Sequence, residues 1–156
     1  MYDREKAVAY AHRWAFGRNL AYYDFSNIGG DCTNFASQVL YAGYGQMNFR
    51  PTFGWFYINA NNRTPSWTGV NELYNFLINN QGAGPKAVET DITSIMPADL
   101  VQLDFDGDGR FDHTPVIVDT GSFTPDTVLL AAHTNDSDYR PLSSYGYQGI
   151  RFLHIL

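Results

Sequence analysis

The sequence has very little cysteine: Cys32 is the only one in 156 residues. A single cysteine excludes an internal disulfide framework and a zinc site built from several thiolates. Long apolar runs are also missing, and none reaches the roughly 18 residues that a membrane-spanning helix needs. We therefore expect a protein with no membrane span. The cysteine count leaves the redox compartment open, because a secreted bacterial protein can also lack disulfides.

Basic residues are scarce as well. The chain has 10 Lys and Arg against 16 Asp and Glu, which gives a net charge of −6. Binding to a phosphate backbone needs clustered Lys and Arg that displace counterions, so we expect no nucleic acid partner. No secretory leader precedes the first residues, "MYDREKAVAYAHRW", whose pattern is already helical. We therefore expect a domain that has been taken from a longer protein.

What the sequence does contain is typical of one globular domain, residues 1–156, which we expect to be a monomer. Hydrophobic residues make up 44% and charged residues 17%. Helical spacing of apolar residues predicts helices from Asp3 to about Arg18, from Cys32 to Gly43, and after a cap at Thr68. The later chain shows strand patterns at 99–105, 113–120, 127–134 and 149–156. Helices followed by strands predict an α+β fold with a mostly antiparallel sheet.

Cys32 lies at the predicted start of a helix, directly after "GGD". Unpaired N–H groups and the helix dipole favour an anion at that position, which would lower the pKa of a thiol. The Cys32 backbone N–H would also point to where an oxyanion forms during attack on a carbonyl. The alternative is a buried cysteine that serves as a small hydrophobic residue.

Two histidines follow Cys32 on strands that are predicted to be neighbours. His113 opens one strand in "DHTPVIV", and His133 ends the next in "AAHTND". A nucleophilic cysteine followed by a histidine base is the order found in papain-like hydrolases. A hairpin between these strands would place His133 opposite His113, where it could orient the base. A register shifted by two residues would bring Asn135 there instead.

The motif "DFDGDG" resembles the start of a calcium-binding loop. Its carboxylates, with one that follows, would give a structural Ca²⁺ site at Asp104, Asp106, Asp108 and Asp112. Position twelve of the loop is Pro115 rather than glutamate, and no helix flanks it, which favours a tight hairpin. We therefore expect that no cofactor or metal is required.

Aromatic residues concentrate in the long connection from Tyr44 to Thr68. A connection of that length in a small domain often has a function. Trp55 and Trp67 within it are candidates for a substrate-binding groove wall, and core packing is the equal alternative.

Several segments together resemble the bacterial family of putative amidase domains: "YDREKAVAYAHRWAFGRN", "GGDCTNFASQVLYAG", "GWFY", "SWT", "DLVQLDFDGDGRFDHTPVIV" and "AHTND". That family is related to the NlpC-type and CHAP-type peptidoglycan hydrolases of the papain-like superfamily. The resemblance implies a papain-like fold and a cysteine amidase or peptidase that forms a thioester acyl-enzyme. It assigns Cys32 as nucleophile and His113 as general base, with Tyr23 and Asp31 as support near the oxyanion site.

The implied substrate is an amide in a peptide or in the bacterial cell wall, and the implied location is extracytoplasmic or cell-wall associated. Two other functions fit the same residues. One is a non-catalytic binding module that keeps the papain-like groove, and the other is an acyltransferase, which passes through the same acyl-enzyme.

Overall fold

The computed structural model describes residues 1–156. The α-helices come first in the chain, and most of the strands follow them. The helices are α1 (Arg4–Trp14), α2 (Cys32–Tyr44), α3 (Pro65–Thr68) and α4 (Val70–Asn79). The strands are β1 (Tyr57–Asn59), β2 (Asn62–Arg63), β3 (Ala87–Thr90), β4 (Leu100–Asp104), β5 (Val116–Asp119), β6 (Leu129–Ala132), β7 (Ser137–Pro141) and β8 (Gly149–Ile155). A short 3₁₀ helix covers Leu142–Ser144.

The main sheet has six strands in the order β3-β8-β4-β5-β6-β7, and every neighbouring pair is antiparallel. The first two strands form a separate small hairpin. The expected α+β class with an antiparallel sheet is confirmed. None of the helices combines the length and apolar composition that crossing a membrane requires.

Helices α1 and α2 pack on one face of the sheet. Side chains on that face, such as those of Val116 and Val118, join one core with the helices, while Ile117 points into a smaller core on the other face. This alternation is the ordinary consequence of the strand pleat. The sheet therefore fixes which side chains of β5 and β6 meet the start of α2.

The register between β5 and β6 differs by one residue from the one that would place His113 opposite His133. Val116 pairs with Ala131 and Ile117 with Leu130. A shift of one residue moves side chains to the opposite face of a sheet. His133 accordingly lies on the helix-facing side, where its ring stacks on Phe35 at 4.1 Å. The structure does not bring the two histidines together.

Trp55 and Trp67 are fully buried, so neither lines a substrate groove. Their rings lie 4.6 Å apart and pack beneath α2. The indole N–H of Trp67 donates to the Asn34 side chain at 2.9 Å, and that of Trp55 donates to the Ser37 hydroxyl at 3.1 Å. The suggested substrate-binding role is therefore wrong, and both residues anchor α2.

The close crossing of α1 and α2 depends on Gly43. The Asp3 side chain caps α1 as expected, and its backbone N–H donates to the Gly43 carbonyl at 2.8 Å. A Cβ at position 43 would lie 2.6 Å from the Tyr2 ring and 2.7 Å from the Asp3 carbonyl oxygen. Gly43 thus lies within α2, which ends at Tyr44, one residue beyond its predicted end.

We expect Gly43→Ala to lower the free energy of unfolding by about 1–3 kcal/mol, because the added methyl group overpacks this crossing. Gly17→Ala is the matched control, since its nearest neighbour would be an ordinary contact at 3.7 Å. Urea unfolding of both variants measures the difference. Equal stability of the two variants would contradict the importance of the crossing.

Candidate active site

Cys32 is the first residue of α2, and its side chain is buried to 8% exposure. No group of the protein accepts a hydrogen bond from its backbone N–H, so this donor is free. The preceding Gly29 and Gly30 have φ angles of 80° and 99°, a conformation that favours glycine. The turn formed by these two glycines leads directly into α2, where the Cys32 thiol and the free Cys32 backbone N–H lie next to each other.

Burial raises the pKa of the Cys32 thiol, and weaker effects of the Thr33 hydroxyl and the Thr114 backbone oppose it. The helix start alone therefore does not give a thiolate in the free protein. This corrects the expectation from sequence, because removal of the thiol from water outweighs the hydrogen bonds that favour its thiolate.

His113 lies just before β5 and is held by the backbone of β4. The Leu103 N–H donates to the His113 carbonyl at 3.0 Å. The His113 ring lies between those of Phe105 and Tyr145. Burial lowers the pKa of His113 to about 4, with a smaller contribution from the nearby Arg140 guanidinium. The imidazole is therefore neutral at pH 7, which is the state a general base needs.

Cys32 and His113 line the same cavity, which has a volume of about 300 Å³. The residues that follow them in the chain are in contact, because the side-chain hydroxyls of Thr33 and Thr114 lie 3.1 Å apart. The full lining consists of Gly29, Gly30, Cys32, Phe105, Asp112, His113, Thr134, Asn135, Arg140, Tyr145 and Gly146. The structure thus brings together two of the three residues proposed from sequence as catalytic, and the alternative third member Asn135 with them.

His133 does not contact this cavity. Its Nδ1 lies 2.5 Å from an Asp31 carboxylate oxygen, and its Nε2 lies 2.8 Å from the Trp14 carbonyl oxygen. With both ring nitrogens engaged, neither is available to orient His113. The role suggested for His133 from the predicted register is therefore not supported by its contacts.

Asp31 lies beneath the site rather than in it. Its carboxylate is fully buried and also accepts from the Phe25 N–H at 2.8 Å and from the Asn34 amide at 2.9 Å. A buried carboxylate that accepts these bonds cannot stabilise an oxyanion, so its contribution is to position the start of α2. Tyr23, the other residue suggested for support, is 45% exposed and is not part of the cavity lining.

Arg140 and Tyr145 are among the cavity residues that sequence reasoning missed. The Arg140 guanidinium lies over the Tyr145 ring at 3.7 Å, and the Tyr145 hydroxyl is buried without a hydrogen-bond partner. No motif surrounds either residue, and both come from the segment after β6. Only the folding of that segment over His113 identifies them.

The carboxylates of Asp104, Asp106 and Asp108 lie within 4.8 Å of one another and are the residues that could hold a cation. Asp104 already accepts from the backbone of Gly107 and Gly109, both at 2.9 Å. Asp112 is the fourth suggested ligand, but its carboxylate accepts from the Phe105 N–H at 2.9 Å. The motif therefore has a role in holding its own hairpin loop.

Comparisons with known proteins cover the whole chain. The model of the family described as "Putative amidase domain" matches residues 1–156. The uncharacterized protein YhbB of Bacillus subtilis (strain 168) is 39% identical over 144 residues, which cover 89% of this chain and 43% of that protein. The chain thus spans less than half the length of that relative. No solved structure matches.

The lowered pKa of His113 predicts a loss of stability in acid. Folded His113 resists protonation down to about pH 4, whereas the unfolded residue takes up a proton near pH 6.5. The unfolded state therefore binds more protons in this window, and stability falls as the pH falls from 6.5 toward 4. We expect His113→Gln to remove up to about 3 kcal/mol of this loss. Urea unfolding of both proteins at pH 7 and pH 4.5 measures it, and parallel losses would contradict the burial effect.

Proposed function

We propose, from the premise that the chain belongs to the putative amidase domain family, that it hydrolyses an amide bond with Cys32 as nucleophile and His113 as general base. The observation that carries the proposal is the shared cavity. It holds a thiol at a helix start, a neutral buried imidazole and a free backbone N–H. Nucleophile, base and oxyanion donor are the three groups that acyl transfer needs.

In the proposed reaction the Cys32 sulfur attacks the amide carbonyl carbon while the thiol proton passes to His113. The carbonyl oxygen becomes an oxyanion that accepts from the Cys32 N–H. The C–N bond then breaks, His113 returns the proton to the departing amine, and a thioester remains on Cys32. A water molecule, deprotonated by His113, attacks the thioester, and the acid is released as the thiol re-forms.

The pKa shifts suit a neutral pair rather than a preformed thiolate and imidazolium. Burial raises the pKa of Cys32 and lowers that of His113, so both changes favour the uncharged forms. Proton transfer is then coupled to attack, and charge develops only where the N–H donor stabilises it. Cys32 and His113 are themselves buried, so water screens that interaction less than it would at the surface.

For the substrate we propose an amide in a peptide or in the bacterial cell wall. The resemblance of its motifs to those of the NlpC-type and CHAP-type hydrolases supports this class, as does the position of Cys32 at a helix start in the same cavity as a histidine from the sheet region. A binding module would have no use for a thiol in the same cavity as an imidazole whose ring nitrogens make no hydrogen bond to the protein. Acyl transfer differs only in whether an amine or water takes the acyl group, so product analysis distinguishes it from hydrolysis.

We also propose that catalysis needs no metal ion. None of Asp104, Asp106 and Asp108 lines the cavity, and Asp112, which does, already accepts a backbone hydrogen bond. Chelation should leave turnover unchanged. Loss of activity that calcium alone restores would contradict this part of the proposal.

We expect Cys32→Ala and Cys32→Ser to lose turnover while the melting temperature changes little. The thiol's side-chain contact is a long one of 3.7 Å to the Thr33 hydroxyl, so its removal costs the fold little. Serine is the sharper variant because it keeps size and hydrogen bonding and removes only the sulfur. A panel of purified muropeptides and simple amides provides the assay.

Two results would overturn the nucleophile assignment. One is full turnover by Cys32→Ser on an amide that the wild type cleaves. The other is a wild type that cleaves nothing in the panel and whose Cys32 is alkylated by iodoacetamide only after unfolding.

Asn135 is the residue we expect to orient His113, because it lines the cavity whereas His133 is engaged elsewhere. Asn135→Gly removes the amide without backbone strain, since the residue has a φ of 58°. We expect kcat to fall by about tenfold or more with KM little changed. His133→Gln should lower stability by roughly 3 kcal/mol, because it leaves Asp31 buried with a weaker partner, and should preserve kcat per folded molecule.

The contrary outcome is clear. If His133→Gln loses kcat without losing stability, and Asn135→Gly keeps wild-type kcat and pH profile, then Asn135 does not orient the base.

A further inference from the structure

A second cavity, larger than the one that contains Cys32, lies elsewhere in the protein. It has a volume of about 670 Å³ and shares no lining residue with the cavity of Cys32 and His113. It lies between the 50–54 turn and helix α4 with the residues that follow it. Its volume is within the roughly 300–1,000 Å³ of small-ligand sites.

Amide side chains with spare hydrogen-bonding capacity form one wall. Asn75 and Gln81 make no side-chain hydrogen bond, and Asn79 donates one bond to the Asn75 carbonyl and accepts none. Each amide offers two donors and an acceptor. Such a wall complements a ligand whose own groups both donate and accept, as hydroxyl and acetamido groups do.

An aromatic ring is held in solvent at the same cavity. Phe53 is 74% exposed, although a phenylalanine side chain normally gains free energy from burial. Its position is set by a tight turn in which the Gly54 N–H donates to the Arg50 carbonyl at 2.9 Å and Thr52 has a φ of 62°. An exposed ring beside free amides suits the apolar face of a sugar ring, whose hydroxyls lie at its edge.

The charges at the cavity balance and are incompletely paired. Arg50 supplies one cation, and its guanidinium makes one long bond of 3.4 Å to the Phe53 carbonyl. Glu72 supplies one anion: its Oε1 lies 3.8 Å from the exposed Arg110 guanidinium, which is outside the lining, and its Oε2 is buried without a hydrogen-bond partner. A balanced pair favours a neutral ligand over an acidic or basic one. No residue of a named strand lines the cavity, so an extended peptide would find no sheet edge there.

We propose that this cavity is a binding site for a neutral saccharide. The sugar ring stacks on Phe53, and its hydroxyls bond to the amides of Asn75, Asn79 and Gln81, with Glu72 and Arg50 at the ends. The site is independent of the cysteine chemistry, since no group of it contacts Cys32 or His113. Saccharide binding and amide hydrolysis can therefore succeed or fail separately.

Isothermal titration of the full chain tests the site with three probes: cellotetraose, chitotetraose and a tetra-alanine peptide with blocked termini. We expect at least one saccharide to bind and the peptide not to bind. Phe53→Ala should weaken saccharide binding by roughly tenfold or more, which corresponds to about 1.4 kcal/mol. Cys32→Ala should bind like the wild type.

Phe49→Ala is the matched control, because Phe49 is also an exposed phenylalanine, at 63%, but lies outside the cavity lining. It should bind like the wild type. A second variant, Gln81→Ala, removes one amide of the wall. Gln81 is exposed, so the loss of its side chain leaves the fold intact. The proposal is overturned if neither saccharide binds at millimolar concentration, if Phe53→Ala and Phe49→Ala bind equally, or if the peptide binds in place of the sugars.

Discussion

The buried carboxylate of Asp31 is the constraint on which the candidate active site depends. It joins three parts of the chain at one point: the loop at Phe25, the start of α2 at Asn34, and the end of β6 at His133. A charge removed from water is strongly unfavourable unless its lone pairs are satisfied. All of these hydrogen bonds form together in only one position of α2. The carboxylate therefore fixes where Cys32, the next residue, lies relative to the sheet.

The far side of α2 is held by a second set of polar contacts in an otherwise apolar core. Asn34 uses its amide for Asp31 and its oxygen for the Trp67 indole, while Ser37 accepts from Trp55 and donates to the Trp67 carbonyl. Each group is satisfied in one geometry, which restricts rotation and sliding of the helix. Tight positioning matters for a nucleophile, because a small displacement from the attacking geometry lowers the rate steeply.

Periodicity and local chemistry were sufficient to predict much of the fold. The cap at Asp3, the helix that begins at Cys32 and the four strand regions that became β4, β5, β6 and β8 follow from local chemistry and the spacing of apolar residues. The strands β3 and β7 and the β1–β2 hairpin lack such a pattern, because few of their side chains are fully buried and pairing alone defines them. Local signals could not reveal them.

The candidate site was predicted only where its residues stand next to local sequence features. Cys32 and His113 stand next to recognisable local features, a helix start and a strand start. The role of His133 depended on a register, and a one-residue difference set by the turn and the packing of β5 on β6 moved its ring to the other face. Arg140 and Tyr145 arrive through tertiary folding, and the deep burial of Trp55 and Trp67 reflects how many aromatic rings this core accommodates.

Helix α4 connects the two cavities physically. Near its start, the Asn71 side chain donates to the Phe111 carbonyl and accepts from the Phe111 N–H, both at 3.0 Å. Phe111 precedes the segment that carries His113, while later residues of the same helix line the larger cavity. A rigid helix with both ends engaged fixes the distance between them. Because the helix already holds the residues of both cavities in place, each cavity can take its ligand without a change of shape that alters the other.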